Sequence, residues 1–452
     1  MDSDTLGSRI ASCVIDQYNA LPKTGKPTAK TVPLSLLPTS STGVSTSVRK
    51  QKHEWTVLAG FVIHDTTNST TTSDKKSQQS QKDETKEAGE FQCVALGTGL
   101  KCQHRNQLSR FGDSLHDCHA EVIARRALLV FFIQQLHQLI LSQSKDGCNS
   151  IFEKVSTGDS NQCFALRPCL RLYLYTSQCP CGSASPNTEP DTDADSGAGA
   201  AASALAPAPK RRKTNPNDCS EISGSVQLKP GRADSIPTLS MSCSDKIARW
   251  NALGVQGGLL SNILEPVHMA GIVVGDLFNH DLIDHALNQR ITASVGAGKR
   301  QCEILCTSEP FERSQSEMLK RYEPDDIITA DASVYWYAGA KSSVALVNGS
   351  KQGAKVVKAK LATACQPPKQ RSEICKLSLF AMYCTTLAQY IRSDDLEDTQ
   401  ITYRQAKARA SDYQKSKAEL LATDDFSGWV KCPPVYESFT ADGISIHLNP
   451  SE

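Results

Sequence analysis

No run of the sequence approaches the ~18 consecutive apolar residues of a membrane-spanning helix, so a helical membrane protein is not expected. Met1 to Leu21 begin acidic and hold no apolar run of the kind a secretory leader carries. Net charge is almost absent: 49 Lys+Arg oppose 48 Asp+Glu, leaving +1. That excludes a simple basic clamp for nucleic acid, although a neutral total can hide a local basic surface. Internal repeats and a Gly-rich phosphate-binding fingerprint are also missing, which removes repeat arrays and dinucleotide-binding folds.

What is present is core and thiol. Of the 452 residues, 39% are hydrophobic, enough to bury a sizeable interior, and 17 are cysteine, an odd number. In a soluble intracellular chain, the expected class here, such cysteines are reduced thiols or metal ligands rather than a disulfide framework. Two segments interrupt the globular pattern. Residues 64–90 are almost entirely Thr, Ser, Gln, Lys, Asp and Glu, and residues 183–238 are rich in Ala, Ser, Pro, Gly and Asp. Neither composition supplies a core, so both read as disordered insertions. The second contains Lys210-Arg211-Arg212-Lys213, either solvated charge or a nuclear import signal, which leaves nucleus and cytoplasm as the expected locations.

Between the insertions the pattern is α/β. Asp117 to Leu141 reads as one long helix, with Val122, Ile123, Leu128, Leu129, Phe132, Leu136 and Ile140 at helical spacing. Strands are expected at Trp55–Ile63, Phe91–Leu96, Leu170–Tyr175, Val267–Val274, Ile327–Tyr337 and Ser343–Val347, and helices at Glu373–Ile391 and Thr402–Thr423.

Three islands carry chemistry: Cys118-His119-Ala120-Glu121, Cys179-Pro180-Cys181-Gly182 and Met241-Ser242-Cys243-Ser244-Asp245-Lys246. Each lies where a strand or loop feeds a helix, so their side chains can converge at one sheet edge. One His and two Cys meet the rule for catalytic zinc, three protein ligands and an open fourth position. His-x-Glu adds a carboxylate beside the metal that is not itself a ligand and can move protons. The usual P-C-x-x-C is broken here, because Cys181 is followed by Gly-Ser-Ala and the next candidate is Cys243. Cys179, two residues from Cys181, remains a rival for the second ligand.

The stretches Ser242-Cys243-Ser244-Asp245-Lys246-Ile247-Ala248-Arg249-Trp250-Asn251 and Cys118-His119-Ala120-Glu121-Val122-Ile123-Ala124-Arg125-Arg126 closely resemble the adenosine deaminases that act on RNA. The similarity runs from about Trp55 to Pro433, and that family splits its zinc cysteines by a long insertion, as here. The resemblance implies a three-layer α/β/α cytidine-deaminase-like mixed sheet with C-terminal helices. It makes 1–452 a single adenosine deaminase domain carrying the two insertions. It also implies His119, Cys181 and Cys243 as zinc ligands and Glu121 as the proton shuttle for attack of water on adenine C6. About 50 residues precede Trp55, fewer than a double-stranded-RNA-binding domain occupies, so the expected branch is the one acting on tRNA. Its partner would be the anticodon stem-loop, and its product inosine at adenosine 37 of alanine tRNA.

Buried charge supplies a further expectation. Arg125 and Arg126 interrupt the long core helix, and Lys246 and Arg249 share one face beside Cys243. Charges that enter a core must be paired, and the acidic residues needed are not nearby in sequence. The family resemblance implies enclosed inositol hexakisphosphate, held by Arg125, Arg126, Lys246, Arg249, Lys376, Tyr403, Lys407, Tyr413, Lys417 and Trp429. This chain departs from the family pattern at His116 (Asn there), Gly258 (Ser) and Lys431-Cys432 (Glu-Lys), which affects peripheral contacts. Asp117 and Lys246 resemble a relay between polyphosphate and metal.

Overall fold

The computed structural model describes residues 3–33, 49–67, 89–142, 150–155, 163–186, 226–229, 236, 238–291, 301–354, 364–390 and 401–444. Most of both expected insertions, and the whole of Lys210 to Lys213, lie outside the described residues. The chain opens with α1 (Ser3–Ala20), followed by β1 (Ala29–Pro33) and β2 (Arg49–Trp55), none of which the sequence pattern had singled out. Then come β3 (Leu58–Asp65), β4 (Phe91–Thr98), β5 (Leu100–Cys102), β6 (Asp117–His119) and α2 (Ala120–Leu141).

The expected helix from Asp117 therefore starts three residues late. Asp117, Cys118 and His119 are extended instead, paired with Cys102, Lys101 and Leu100 of β5. The strand ladder claims their backbone groups, and the Asp117 carboxylate accepts from His119 N at 2.9 Å.

After β7 (Phe152–Lys154) and β8 (Phe164–Leu166), β9 (Leu170–Gln178) enters the main sheet. Next are α3 (Cys243–Leu253), α4 (Gly257–Leu260), β10 (Gly271–Asp276), α5 (His280–Asp284), β11 (Glu303–Cys306), β12 (Ile327–Thr329) and β13 (Ala332–Tyr337). The strand expected over Ile327–Tyr337 is thus two. β12 joins β1 and β2 in a small sheet, and β13 joins the main one. β14 (Val344–Val347), β15 (Ser350–Lys351), α6 (Lys376–Tyr390), α7 (Tyr403–Ala408) and α8 (Ser411–Leu421) complete the described elements used below. The single helix expected over Thr402–Thr423 is also two, separated at Arg409 and Ala410.

The main sheet has eight strands in the order β11-β10-β9-β3-β4-β13-β14-β15. β9, β10 and β11 run parallel, and the remaining neighbours run antiparallel. Each face is covered by a helix, because the central strands are apolar on both sides. On one face α1 buries Ile10, Ala11, Val14 and Tyr18 against Leu58, Val62, Leu96, Tyr175 and Val273. On the other, Ile123, Ala127, Val130 and Phe131 of α2 meet Ala59, Phe61 and Val94 in the larger core, which α3 and α6 also enter. This is the three-layer α/β/α arrangement. No described helix is long and apolar enough to cross a membrane, and the described cysteines are free thiols.

The insertion expected over 183–238 is shorter at its C-terminal end. Leu228 bridges Met241, Lys229 N donates to Ser240 O at 2.8 Å, and Lys229 is buried. Gln227 to Lys229 and Ser240 to Ser242 exchange backbone hydrogen bonds, so this end belongs to the fold.

Candidate active site

The three islands converge at the carboxyl ends of the parallel strands. β6 delivers His119, and α2 begins one residue later, which places Glu121 in its first turn, buried. β9 runs out into Cys179-Pro180-Cys181-Gly182. Gly182 sits at φ 110°, where a side chain is strained, and a Cβ there would collide with the Ser242 and Ser244 hydroxyls. The absent side chain lets the start of α3 pack on the Cys181 turn, with Ser244 N donating to Cys181 O at 3.0 Å. Ser242 caps α3, its hydroxyl accepting from Asp245 N at 3.2 Å. Cys243 therefore faces the turn that carries Cys181, although 62 residues separate them in the chain.

His119, Cys181 and Cys243 offer donor atoms at a spacing that could hold a tetrahedral ion. Bonds of ~2.3 Å to sulfur and ~2.0 Å to nitrogen put sulfur and nitrogen about 3.5 Å apart at a tetrahedral angle. His119 Nδ1 lies 3.6 Å from Cys243 Sγ and 3.9 Å from Cys181 Sγ. The three atoms form a group within 4.8 Å of one another. The hydrogen bond with Cys243, then the charges of Lys229 and His119, hold the Cys181 thiol well below its ordinary value against the opposing effect of burial. A thiol inclined to ionise suits a metal ligand. Cys179 is turned elsewhere: its Sγ donates to Ala184 O at 3.0 Å, and burial pushes its thiol up to about 12. Glu121 is not in the ligand group, but its Oε2 lies 3.2 Å from Cys243 Sγ.

Behind the ligands stands a charge cluster that sequence reasoning saw only in part. Asp117 is contacted by Lys246, by Ser240 and by Lys229, whose Nζ is 3.0 Å from Oδ2. Burial alone would raise the Asp117 carboxyl, but Lys229 and Lys246 outweigh it and hold it well below the usual carboxylate range. Lys229 also donates to Cys243 Sγ at 3.1 Å. It went unrecognised because it sits in low-complexity sequence; the one signal was an apolar-flanked Lys just ahead of Ser240–Cys243.

The ten residues expected to hold a polyphosphate lie on or beside α2, α3, α6, α7 and α8. Arg125 Nε donates to Val255 O at 2.8 Å, and its guanidinium lies over Trp250. Arg126 Nε donates to Ile374 O at 2.5 Å, while its Nη2 is buried without a hydrogen-bond partner. Arg249 stacks 4.5 Å over Trp429, and its Nε is likewise unpartnered. Lys407 lies over Tyr403. One carboxylate not expected from the sequence enters the group: Glu437 accepts from Lys407 at 2.9 Å and Lys376 at 3.3 Å. These two lysines hold it down at about 2 despite burial. Burial, with Lys376 and Arg126, pushes His116 down to about 3, so it stays neutral. Burial, and then Arg249 and Lys407, lowers Lys417 to about 8.

The fold is that of a deaminase, and the family match supports a hydrolytic one. The chain belongs to the adenosine-deaminase (editase) domain family, whose model matches residues 95–433. It is 27% identical to the double-stranded RNA-specific adenosine deaminase of Rattus norvegicus over 362 residues, 76% of this chain but 29% of that protein's length. It is 25% identical to the tRNA-specific adenosine deaminase 1 of Mus musculus over 538 aligned positions, covering 95% of this chain and 99% of that one. The Homo sapiens tRNA-specific adenosine deaminase 1 is 32% identical over 229 residues, 48% of this chain and 44% of that protein. The family turns adenosine into inosine in RNA.

Proposed function

We propose that this chain deaminates adenosine to inosine in tRNA, with adenosine 37 of alanine tRNA as its target and the anticodon stem-loop as the element it grips. The end-to-end similarity to the mouse tRNA-specific enzyme carries this reading, since the rat double-stranded RNA enzyme is matched over only 29% of its length. The whole of 1–452 acts as one deaminase domain with two insertions, in the nucleus or cytoplasm.

His119, Cys181 and Cys243 are the proposed zinc ligands, a role their spacing supports. Bound zinc would supply Lewis-acid activation of water at neutral pH. Glu121, beside the ligands but outside their group, takes a proton from water and delivers protons to the adenine ring nitrogen and the departing amine. The C6–amine bond breaks, ammonia leaves, and the new C6 oxygen comes from water. The adenine must leave its stack to reach a buried carboxylate, which an anticodon loop permits at low cost. Lys229 and Asp117 hold the ligand set from behind.

Inositol hexakisphosphate is the proposed occupant of the basic cluster. Seven cations (Arg125, Arg126, Lys246, Arg249, Lys376, Lys407 and Lys417) share two close carboxylates, Asp117 and Glu437. The buried Arg126 Nη2 and Arg249 Nε, without hydrogen-bond partners in the chain, support an anion as their partner. Phosphate would meet them with charge-assisted bonds, while Tyr403, Tyr413 and Trp429 add neutral donors.

The test is direct. Purified protein incubated with alanine tRNA should yield inosine at position 37, read by reverse transcription and by nucleoside mass spectrometry. Inosine formed only in duplex RNA would move the activity to structured RNA, and none in any RNA would make the chain a silent homologue.

A further inference from the structure

Leu277 is held in a backbone conformation that its own side chain does not justify. It lies in the left-handed region at φ 58°, costly for a branched residue with a Cβ. The only other described non-glycine residue with positive φ is Asn348, which with Gly349 makes the tight turn between β14 and β15 and suits it. Leu277 serves no hairpin. Nor does it gain by burial, for it is 44% exposed. Such strain persists only where the surroundings over-determine it, and strained positions cluster at functional sites.

The surrounding loop is built to hold it. Asp276 ends β10, and its carboxylate accepts from Ser316 Oγ at 2.6 Å. Phe278 packs on the main core and touches the His280 ring edge-on, with centroids 6.5 Å apart. Asn279 caps α5, its side chain accepting from Leu282 N at 3.0 Å. The loop is thus pinned on both sides of Leu277. It also flanks the active site directly: Asp276 pairs with Gln178 in the parallel ladder, and Cys179 N donates to Asp276 O at 2.9 Å. Cys181 is two residues further on. Ligands of open α/β sheets bind outside the carboxyl ends of their strands, and this loop leaves the strand next to the one that delivers Cys181.

We propose that Leu277, with the exposed His280 beside it, contacts the face of an unpaired nucleotide adjoining the target adenosine, so that this loop sets the enzyme's preference for the neighbouring base. The inference rests on the RNA-deaminase reading above. Single-stranded RNA is recognised by stacking splayed bases on aromatic side chains, here the His280 ring, with Leu277 as the apolar contact beside it. The carboxylates of Asp276 and the fully exposed Asp281 flank the position and repel phosphate, which leaves the uncharged base as the group that fits. The role is one of specificity and orientation.

Two measurements on the full chain test it. The first uses an anticodon stem-loop RNA whose two neighbours of the reactive adenosine are varied through every combination. Leu277→Asn and Leu277→Gly both tolerate the left-handed conformation, so each should fold with Tm unchanged or raised. On the best wild-type substrate each should lose about tenfold in kcat/KM, the scale of one base-packing contact, and the neighbour preference should flatten. Wild-type kcat/KM with the same preference would overturn the proposal, since a purely structural leucine at this φ gains from Gly. The second measurement is independent of turnover. 4-Thiouridine placed at each neighbour in turn and photo-crosslinked should label the peptide containing Leu277 to His280. Labels confined to other peptides, or no label, would also overturn it. Absence of inosine from wild-type protein, with the crosslink present, would count against the deaminase reading alone.

Discussion

Lys229 donates to Cys243 across 3.1 Å, which places a buried ammonium against a proposed metal-ligand sulfur. The same ammonium reaches Asp117 Oδ2, which Lys246 also contacts. The candidate ligand set and the basic cluster are thereby joined through three charged side chains, of which Lys229 and Asp117 are buried and Lys246 partly so. Removing the Lys229 charge leaves Asp117 and the Cys243 sulfur less well compensated.

Lys229→Met should therefore lower zinc affinity by roughly 10–100-fold, the usual effect of losing a partner behind a ligand. Competition with a chelator, followed by metal analysis, reads it. Zinc retention and turnover equal to wild type would remove Lys229 from the site.

Glu121→Ala should keep the fold and the zinc content yet abolish inosine formation, a loss of at least ~10²–10⁴ in kcat for a missing general acid-base. Circular dichroism and metal analysis establish the first half, and single-turnover assays the second. Substantial turnover would require another proton carrier.

Cys181→Ala should reduce bound zinc, whereas Cys179→Ala should not, because the Cys179 thiol is spent on Ala184 O. Metal content of the two purified variants decides between them. The reverse pattern would hand the ligand role to Cys179.

Replacing 190–222 with a short Gly/Ser linker should leave deamination nearly intact, since that composition contributes no core. Extending the deletion to 232 should abolish it, because Lys229 and its backbone pairing with Ser240 are then lost. Activity lost with the shorter deletion, in folded protein, would make Lys210 to Lys213 the first suspects for RNA contact.

The basic cluster predicts a pH signature. Without polyphosphate, Lys417 titrates at about 8 in the folded protein against ~10.4 when unfolded. Between these values the unfolded state binds the extra proton, so stability rises with pH across that window, and below it the penalty is fully present. Bound inositol hexakisphosphate should raise the folded value and erase the rise. Thermal melts from pH 7 to 10.5, with and without added polyphosphate, compare the two. Identical profiles, together with soluble active protein lacking inositol phosphate by mass spectrometry, would dismiss the cage. Lys407→Glu should mimic its loss, giving insoluble or inactive protein.

The local features were legible in sequence wherever one short stretch contained its own reason. The period of Val122 to Ile140 identifies the core helix, and His119-x-Glu121 carries both a ligand type and its acid-base neighbour. The cysteine types, the two low-complexity stretches and the crowding of Arg125, Arg126, Lys246 and Arg249 could also be read directly. Tertiary structure decided what depends on partners remote in the chain. Asp117 to His119 became a strand because Leu100–Cys102 supplies their hydrogen bonds. Ile327–Tyr337 was divided because its halves pair with β2 and β4, in different sheets. Of the two thiols, Cys181 lies near His119 and Cys179 does not, which depends on how the Gly182 turn meets α3. Lys229 and Glu437 gained their importance in the same way. A buried charge acquires meaning from the groups it meets, and these meet theirs across 112 and 30 residues of chain.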